Sequence, residues 1–469
     1  MKKSFYIIFC IAIMHFGNGQ EINDLRNQKI DGYRGIWFEL NQKYAYGDKY
    51  SGALGTYTAK HIPLAVYSPE VNKTFFVYGG TTQEDERHLL CMVGTYDHTT
   101  GLVSKPTVAY DKQKVDDPHD NPTILIDDEG YIWVFVSGRG TSRKGVKLKS
   151  NKPFSIDSFD ILETSEFTYP QIWNTDKGFF HFFTKYKFLG VRELFFESFL
   201  NKKNWTSSKK LASIPSGEDR LGGHYQISGM YKKGKILGTF FNRHTNGNVD
   251  TRSDLYYLQT TNYGSSWSTV YGRKIAPPVN MVKSRSRVID YRTQQKNVYL
   301  KDMAFDNNGN PVCLYITSEG HEPGPVSAPY EWRVTFWTGE KWVTNIVTTS
   351  DHNYDMGSIY IMENDIWKIV GPTEDGPQKY GVGGEIAIWV SDDCGRTWSK
   401  EKTITENSEL NHSYVRRPLQ PKAPFSFFWA NGNPKVISKS ELFFGDFEGN
   451  VYRLPYNMDQ EWEKPLKVH

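Results

Sequence analysis

The chain has 469 residues, with 56 Lys and Arg against 53 Asp and Glu, so its formal net charge is only +3. Nucleic acid binding requires a strongly basic face, and so small a charge argues against that class of partner while leaving room for a locally basic pocket. Aromatic residues make up 15% of the chain, Gly is abundant, and no long apolar stripe of helical period is found. This balance is typical of an all-β protein with many turns.

The first 19 residues have the features of a secretory signal peptide. Two lysines precede an apolar run (5–16), and the small residues Gly17 and Gly19 follow it. The run is too short to cross a bilayer, and no later segment approaches the roughly 18 apolar residues that would. The sequence therefore predicts an exported protein, secreted or periplasmic, with a mature chain that begins near Gln20 and has no membrane partner.

Residues 20–469 are predicted to form one domain, because no Pro/Ser-rich linker, charge block or low-complexity segment divides them. Three cysteines outside the leader, Cys91, Cys313 and Cys394, allow at most one disulfide and match no zinc-site spacing. No ligand set for a metal or cofactor is evident, and a structural cation is left open.

A short unit recurs along the chain and predicts its architecture. A polar turn containing Gly or Asn is followed by alternating aromatic and aliphatic residues, which is the pattern of a β-hairpin. Seven such turns over this length predict a seven-bladed β-propeller with long rim loops. They lie at Asn72, Gly130, Gly178, Gly234, Gly309, Asn364 and Gly449.

Two segments fit the Asp-box pattern S/T-x-D/N-x-G-x-S/T-W, namely TTNYGSSW (260–267) and SDDCGRTW (391–398). In such a hairpin corner the Asp or Asn side chain caps the turn and the Trp packs between blades. These residues are expected to be structural, and they support the propeller without indicating catalysis.

Segment 116–140, DDPHDNPTILIDDEGYIWVFVSGRG, organises the predicted site. It begins with a polar cluster that has the look of an exposed loop, and continues as a strand (123–126), an acidic turn (127–130) and a second strand (131–136). Two antiparallel strands return the chain to where it began, so His119 and Arg139 are predicted to be neighbours on one rim of a sheet. The polar cluster consists of Asp116, Asp117, His119, Asp120 and Asn121.

The fourth hairpin repeats this arrangement. His224 and Tyr225 precede it, while Arg243 and His244 follow it, so two blades are expected to present similar groups toward the central axis. Further along, Arg416 and Arg417 are predicted to bind a carboxylate or sulfate through bidentate contacts. These pairs indicate an anionic ligand.

With these features in place, the chain resembles the BNR-4 repeat family of seven-bladed propellers. The resemblance extends from the second blade to the last, through DDPHDNPTILIDDEGYIWVF, TYPQIW (168–173), HNYDMGSIYI (352–361), YVRRP and FFWANG (within 414–432). The family includes ulvan lyases and related enzymes that act on the rhamnose–glucuronate linkage, and a rhamnosidase-type branch. The resemblance implies an exported enzyme that binds a uronate-containing polysaccharide or oligosaccharide.

In the lyases that this sequence resembles, one His opens the hairpin, a second His closes it, a Tyr follows in a TYP segment, and an Arg lies one hairpin later. His119 and Tyr169 match the first His and the Tyr. Arg139 stands at the second His position and Lys185 near the Arg position. The resemblance thus implies Tyr169, His119 and Arg139 as catalytic residues in a pocket that departs from the family at two positions.

The reaction implied is β-elimination at C4 of glucuronate, through removal of the C5 proton. That proton is acidic only when the neighbouring carboxylate is neutralised, for which Arg139, Lys185, Arg192 and Arg243 are candidates. In glucuronate the C5 proton and the C4 oxygen lie on the same side, so a single residue, Tyr169, can take the proton and return it to the leaving oxygen. His119 would orient the substrate or act as the base. The leaving group is either a sugar or, from a terminal glucuronate, water.

Two alternatives belong to other functional classes. In the segment KHIPLAVYS, His61 takes the place of the Arg of a sialidase, and the rhamnosidase-type branch uses a single early His, so a hydrolase that releases rhamnose would employ His61. A glycan-binding propeller without catalysis is the other. Adjacent carboxylates such as Asp116 and Asp117 point to opposite faces of a strand, so they form no persuasive hydrolase pair.

Overall fold

Seven antiparallel sheets form a seven-bladed β-propeller in the computed structural model, which confirms the predicted architecture. The structure describes residues 24–468 except 53, 55–59, 85, 114, 188–190, 201 and 216–221. The predicted signal peptide lies outside the described residues. A hairpin of four short strands precedes the first blade: β1 (Phe38–Glu39), β2 (Lys43–Tyr44), β3 (Gly47–Asp48) and β4 (Ser51–Gly52).

The first three blades come from the first half of the chain. Blade 1 contains β5 (Ala65–Ser68), β6 (Lys73–Gly80), β7 (Leu90–Asp97), β8 (Leu102–Ser104) and β9 (Thr107–Asp111). Blade 2 contains β10 (Pro122–Ile126), β11 (Ile132–Val136), β12 (Gly145–Ser150) and β13 (Phe159–Ser165). Blade 3 contains β14 (Thr168–Thr175), β15 (Gly178–Tyr186), β16 (Arg192–Leu200) and β17 (Lys209–Ala212).

Blades 4 and 5 follow in the same order. Blade 4 contains β18 (Gln226–Tyr231), β19 (Ile236–His244), β20 (Arg252–Thr260), β21 (Trp267–Ser268), β22 (Lys274–Ile275) and β23 (Arg287–Ile289). Blade 5 contains β24 (Asn297–Phe305), β25 (Pro311–Ser318), β26 (Tyr330–Trp337) and β27 (Trp342–Ser350).

The last two blades bring the chain back to the first. Blade 6 contains β28 (Ser358–Ile361), β29 (Trp367–Glu374), β30 (Glu385–Ser391) and β31 (Ser399–Thr403). Blade 7 contains β32 (Asn411–Arg416), β33 (Phe427–Gly432), β34 (Leu442–Gly445) and β35 (Val451–Arg453). Of the final strands, β36 (Trp462–Glu463) pairs with β8 of blade 1, and β37 (Leu466–Lys467) pairs with β35. These last two strands thereby join blade 7 to blade 1.

The first strand of each blade is the innermost, and it defines two faces of the ring. On the face that we call the site face, inner strands begin and the second strand turns into the third. On the opposite face the inner strand turns into the second and the third strand turns into the fourth, and all seven predicted turns lie there. Six of them join the first two strands of a blade. Gly449 joins β34 to β35, the third and fourth strands of blade 7, whose inner hairpin turns through 417–426 without the repeated motif.

Both Asp boxes cap turns as their sequences predict. The side-chain oxygen of Asn262 accepts from the backbone N–H of Ser266 (2.9 Å), and that of Asp393 accepts from Thr397 N–H (2.9 Å). Trp267 of the first box is buried and meets the ring of Phe196 in blade 3 at 5.0 Å between centroids. The box therefore joins blades 3 and 4 through aromatic packing.

A charged group is buried between blades 2 and 3. The Lys147 ammonium is fully buried, lies 2.8 Å from a Glu197 carboxylate oxygen and stacks on the ring of Trp205 at 3.7 Å. His181 Nδ1 approaches the same oxygen of Glu197 to 2.9 Å. Burial alone would raise the pKa of Glu197, but its contacts with His181 and Lys147 lower that pKa to about 2.

The Glu197→Gln variant is expected to lose about 3 kcal/mol of unfolding free energy at neutral pH, from the depression of the Glu197 pKa. Because the folded-state pKa lies below the unfolded value, this stability is present above about pH 4.3 and disappears as the pH falls toward 2. Denaturant unfolding of both proteins from pH 7 to pH 2 measures it. The exposed Glu129–Lys202 pair supplies the control, since Glu129→Gln should cost less than about 1 kcal/mol. Equal stabilities of wild type and Glu197→Gln at pH 7 would contradict the prediction.

Cys91, Cys313 and Cys394 are all free thiols. In the described part of the chain no group of three or more His, Cys, Asp or Glu side chains is arranged to hold a metal ion. The same residues include no helix with the length and apolar character needed to cross a bilayer.

Candidate active site

Three consecutive blades carry equivalent residue pairs on the site face, at the ends of their second hairpins. Arg139 pairs with Arg143 in blade 2, Tyr186 with Arg192 in blade 3, and His244 with Arg252 in blade 4. In each pair an Arg stands on the third-strand side. Since the blades are arranged in a ring, these pairs form one curved wall.

The starts of the inner strands complete that wall with aromatic side chains. His119 precedes β10, Tyr169 stands near the start of β14, and Tyr225 precedes β18. Their rings contact one another in order, with centroid distances of 5.4 Å from His119 to Tyr169 and 5.8 Å from Tyr169 to Tyr225. Blades 2 to 4 therefore present a continuous row of three rings beside four arginines.

Tyr169 has a strained backbone that fixes its direction. Its φ is +56°, a value that residues with a side chain adopt rarely, and the pairing of β14 with β15 is interrupted by a bulge between Thr168 and Gln171. The backbone N–H of Tyr169 donates to Ser137 Oγ (3.1 Å), and Thr168 Oγ1 donates to the Gly138 carbonyl (2.7 Å). Strain of this kind is retained where it positions a side chain for function.

A chain of hydrogen bonds connects Tyr169 to a guanidinium. The Tyr169 hydroxyl lies 3.4 Å from that of Tyr186, and Arg192 Nε donates to the Tyr186 oxygen at 3.0 Å. Burial raises the pKa of Tyr186 despite the opposing charge of Arg192, so the Tyr186 hydroxyl keeps its proton. Tyr186 can therefore donate to the Tyr169 oxygen and stabilise a phenolate there.

His119 is oriented by a carboxylate. Its Nδ1 makes a short hydrogen bond to Asp117 Oδ1, while Asp117 Oδ2 accepts from Arg139 (2.8 Å) and Arg143 (2.6 Å). Burial alone would raise the pKa of Asp117, but His119 and Arg139 hold that pKa well below its usual range. The ionised carboxylate only accepts, so Nδ1 carries the proton and Nε2 is the basic nitrogen of His119.

Burial lowers the pKa of His119, although Asp117 acts in the opposite direction. The imidazole is therefore neutral near pH 7. A neutral His with an oriented tautomer is suited to accept a proton or a hydrogen bond from a substrate hydroxyl.

The far side of the wall is strongly basic. Arg252 packs over the rings of Tyr225 (4.8 Å) and Tyr299 (4.5 Å), and its Nη2 donates to the Tyr354 hydroxyl at 2.8 Å. The His244 ring packs against that of Tyr225 in a tilted arrangement, with 4.9 Å between the centroids. Burial lowers the pKa of His244 well below its usual value. These cation–π contacts hold Arg252 in a fixed position beside the aromatic row.

Two buried lysines lie next to these rings. Lys60 donates to the Leu300 carbonyl (3.2 Å) and lies 5.7 Å from the Tyr225 ring, while Lys301 donates to the Asn353 carbonyl (2.7 Å). Burial, together with the neighbouring cations, lowers the pKa of Lys60 well below its ordinary value. The neighbouring cations disfavour the charged form of Lys60, and a negatively charged ligand bound here would relieve that repulsion.

The polar cluster at the start of segment 116–140 is not the exposed loop that the sequence predicts. His119, Asp120 and Asn121 are buried, in a short 3-10 helix (Pro118–Asp120) and at its end. Arg143 Nε donates to Asp120 Oδ2 at 2.6 Å, and Asn121 Nδ2 donates to the Pro118 carbonyl at 2.9 Å. The blade-2 loop that carries Arg143 covers this cluster.

The structure brings together His119, Arg139, Tyr169, Arg192, Tyr225 and His244 from the set that the sequence predicts. His61 is fully buried and packs against this group. The His61 ring lies 5.6 Å from Tyr169 and its Nε2 is 3.2 Å from the His119 carbonyl. Burial lowers the pKa of His61 to about 3.

The five other predicted residues make structural contacts elsewhere. Lys185 Nζ donates to Ser208 Oγ at 2.9 Å, and Arg243 Nε pairs with Asp254 at 2.7 Å. His224 bridges backbone groups, accepting from Ile214 N–H (2.9 Å) and lying 2.8 Å from the Asn242 carbonyl. Arg416 donates to the His61 carbonyl at 2.9 Å, and Arg417 approaches Asp302 to 3.4 Å.

Several residues of the group escaped the sequence analysis: Lys60, Arg143, Tyr186, Arg252, Tyr299, Lys301 and Tyr354. A signal existed for Arg252, because it opens the third strand of its blade as Arg192 does in blade 3.

Comparison with known proteins places this propeller in a family. Residues 74–350, more than half of the chain, match the BNR repeat-containing family. The chain belongs to that family. The family match extends from blade 1 to blade 5 and so includes His119, Tyr169, Arg192, Tyr225 and Arg252.

Two curated proteins are similar to the chain. An ulvan lyase of Alteromonas sp. (strain LOR) is 24% identical over 383 residues, which cover 73% of this chain and 75% of that protein. An ulvan lyase of the PL25 type from Pseudoalteromonas sp. (strain PLSV) is 24% identical over 289 residues, covering 54% of this chain and 58% of that protein.

A solved PL25 ulvan lyase superimposes with a TM-score of 0.69 at 17% identity, covering 89% of this chain and 94% of that one. A structure with the same TM-score, identity and coverage is of the PL25 ulvan lyase bound to -[GlcA(1-4)Rha3S]-. At this level of identity the likeness shows that the fold is shared.

Proposed function

We propose that the protein is a polysaccharide lyase that acts on ulvan-type rhamnose–glucuronate chains by β-elimination at C4 of glucuronate. The observation that carries the proposal is the buried Tyr169 hydroxyl, linked through Tyr186 to Arg192 and flanked by the neutral His119. The similarity to two ulvan lyases supports the same substrate class.

The proposed reaction begins with the glucuronate carboxylate against the basic wall. Arg192 and Arg252 lie nearest to the aromatic row and would stabilise the negative charge that develops when the C5 proton leaves. Tyr169, as a phenolate stabilised by Tyr186, takes the C5 proton. The C4–O bond then breaks, a C4=C5 double bond forms, and the same phenol returns the proton to the leaving oxygen.

His119 serves this reaction through its Nε2, which would accept a hydrogen bond from a sugar hydroxyl and hold the ring against Tyr169. Its neutral state also makes it the second candidate for the base. Asp117 fixes the tautomer, and Arg139 and Arg143 keep Asp117 ionised, so Arg139 acts as a positioning residue.

A glycoside hydrolase would need a different set of groups. It uses a pair of carboxyl groups, one of which must hold a proton near neutral pH. Asp117 is the carboxylate hydrogen-bonded to His119, and the low pKa of Asp117 prevents it from acting as a general acid. Ionised Asp117 therefore orients His119, as the proposed elimination requires, and does not serve as the acid of a hydrolase.

The N-terminal hairpin (38–52) favours a dehydratase as the second candidate. Tyr50 packs against the rings of Tyr354 (5.4 Å) and Tyr414 (6.5 Å), and the Tyr414 hydroxyl donates to the Ser51 carbonyl at 3.0 Å. A chain that extended from Tyr169 across the axis would meet this hairpin. A glucuronate at the end of a chain avoids it, and elimination from that residue expels water instead of a sugar.

Incubation with ulvan oligosaccharides is expected to give a product that absorbs in the ultraviolet, since elimination leaves an unsaturated uronate. Mass spectrometry then identifies the leaving group, because cleavage gives two fragments whose masses sum to that of the substrate, whereas dehydration gives one product lighter by one water. Release of free rhamnose without a chromophore, abolished in His61→Ala and unchanged in Tyr169→Phe, would instead establish the hydrolase. Binding without any product would establish a glycan-binding propeller.

A further inference from the structure

A cleft opens on the site face between blades 4 and 5, beside the candidate active site. It has a volume of ≈ 600 Å³, and its walls come from the connections β19–β20, β23–β24 and β25–β26. On one wall Thr245 directly follows His244, and Thr251 directly precedes Arg252. The cleft therefore begins at the residues where the basic wall ends.

The inner strand of blade 5 also links the cleft to the candidate active site. Asn297 lines the cleft at the start of β24, and Tyr299, two residues further along the same face of the strand, contacts Arg252 at 4.5 Å. A ligand with one sugar residue beside Arg252 would thus reach the cleft with its next residue.

The walls carry the groups that hydrogen-bond sugar hydroxyls. Gln295 supplies an amide and Arg292 a guanidinium. Thr251, Thr293 and Asn297 donate to backbone carbonyls of the walls and offer their side-chain oxygens as acceptors. Arg292 and Gln295 are exposed, and the backbone N–H of Arg292 donates to Asp254 Oδ1 (3.0 Å), which helps to anchor this loop. Amide and guanidinium groups suit pairs of neighbouring hydroxyls because they offer two donors or a donor and an acceptor.

The N-terminal hairpin provides an aromatic rim. The ring of Tyr44 meets that of His321 edge-on at 5.6 Å, and the Tyr44 hydroxyl lies 3.3 Å from His321 Nε2. Lys49 of the same hairpin forms a short ion pair with Asp250, which neutralises this acidic group of the lining. The volume of the cleft is within the range of small-ligand sites, and its walls are more polar than is usual for such sites, as a ligand rich in hydroxyl groups requires.

We propose that this cleft is a second sugar-binding subsite, which holds the sugar residue next to the glucuronate bound at Tyr169. Arg292 and Gln295 are its specificity-determining residues. This inference rests on the proposed function, because it takes the ligand to be the same rhamnose–glucuronate oligosaccharide, and it adds where the second residue binds.

Calorimetric titration with a glucuronate–rhamnose disaccharide and the corresponding tetrasaccharide tests the subsite without requiring turnover. Wild-type protein is expected to bind the tetrasaccharide at least tenfold more tightly than the disaccharide. The double variant Arg292→Ala/Gln295→Ala should lose most of that difference and keep the disaccharide affinity. As a matched control, Lys283→Ala/Arg285→Ala changes exposed residues of blade 4 outside the cleft and should behave as wild type.

Equal tetrasaccharide affinity in the wild type and the Arg292→Ala/Gln295→Ala variant would overturn the subsite while leaving the proposed function intact. If wild type bound neither sugar, the proposed substrate class would fail, and the subsite with it. The thermal unfolding midpoint of each variant, measured alongside, should match wild type because the replaced side chains are exposed.

Discussion

Replacing Tyr169 by Phe is expected to lower kcat for elimination by about 10²–10⁴-fold, the usual contribution of a positioned general acid–base group. The substitution removes one oxygen, which lies 3.4 Å from the Tyr186 hydroxyl, and keeps the ring that packs against His119 and Tyr225. Folding and substrate binding should therefore change little. Initial rates of ultraviolet absorbance on ulvan oligosaccharides measure the loss, and isothermal titration measures the affinity.

Tyr67→Phe is the matched control, because Tyr67 also loses one hydroxyl, bonded to Asn72 at 3.0 Å, on the face opposite to the site. It should retain wild-type kcat. Full activity in Tyr169→Phe would exclude Tyr169 as the base, and a subsequent loss in His119→Gln would transfer that role to His119.

Replacing Arg192 by Met is expected to lower kcat/KM by about 10²–10³-fold, the range found when one group that stabilises developing negative charge is removed. Arg192 donates to Tyr186 and lies 4.8 Å and 5.6 Å from the rings of Tyr186 and Tyr225, so its loss weakens both the phenolate and the carboxylate site. Steady-state kinetics with a soluble oligosaccharide measure the change.

Lys185→Met provides the comparison, because the family resemblance puts the expected arginine position near Lys185, whereas the structure bonds Lys185 to Ser208. We expect less than a threefold change in Lys185→Met. The opposite result, a large loss in Lys185→Met and a small one in Arg192→Met, would show that the carboxylate binds nearer to Lys185. A shift of the pH–rate profile to higher pH in Arg192→Met would further indicate that Arg192 stabilises the phenolate.

The fold could be predicted because its signals are local. A Gly or Asn turn followed by alternating residues specifies a hairpin within about ten residues, and at Gly130 a side chain would collide with Phe154 at 2.5 Å, so the turn requires glycine. Blade 7 lacks such a turn in its inner hairpin, and the sequence marked Gly449 of its outer hairpin instead. Each of the seven turns still belongs to a different blade, so their number gives the number of blades.

The group of residues at the site was only partly predictable, for a geometric reason. His119, Tyr169 and Tyr225 stand next to recognisable strand starts, whereas Arg252 depends on the register between β19 and β20. The positive φ of Tyr169 determines the direction of its side chain, and no residue pattern in the sequence indicates that φ. Contacts over long sequence separations were also hidden, as for Lys60, which bonds a carbonyl 240 residues away.

The paired residues at the second hairpins of blades 2, 3 and 4 have a consequence for how this protein can diversify. Each pair, Arg139 with Arg143, Tyr186 with Arg192 and His244 with Arg252, belongs to a different hairpin that closes on itself before the next blade begins. An exchange in one hairpin alters one side of the ligand's surroundings while the other two hairpins keep their positions. New substrate preferences can therefore arise stepwise, through substitutions at the end of one hairpin at a time, while the fold of the propeller stays the same.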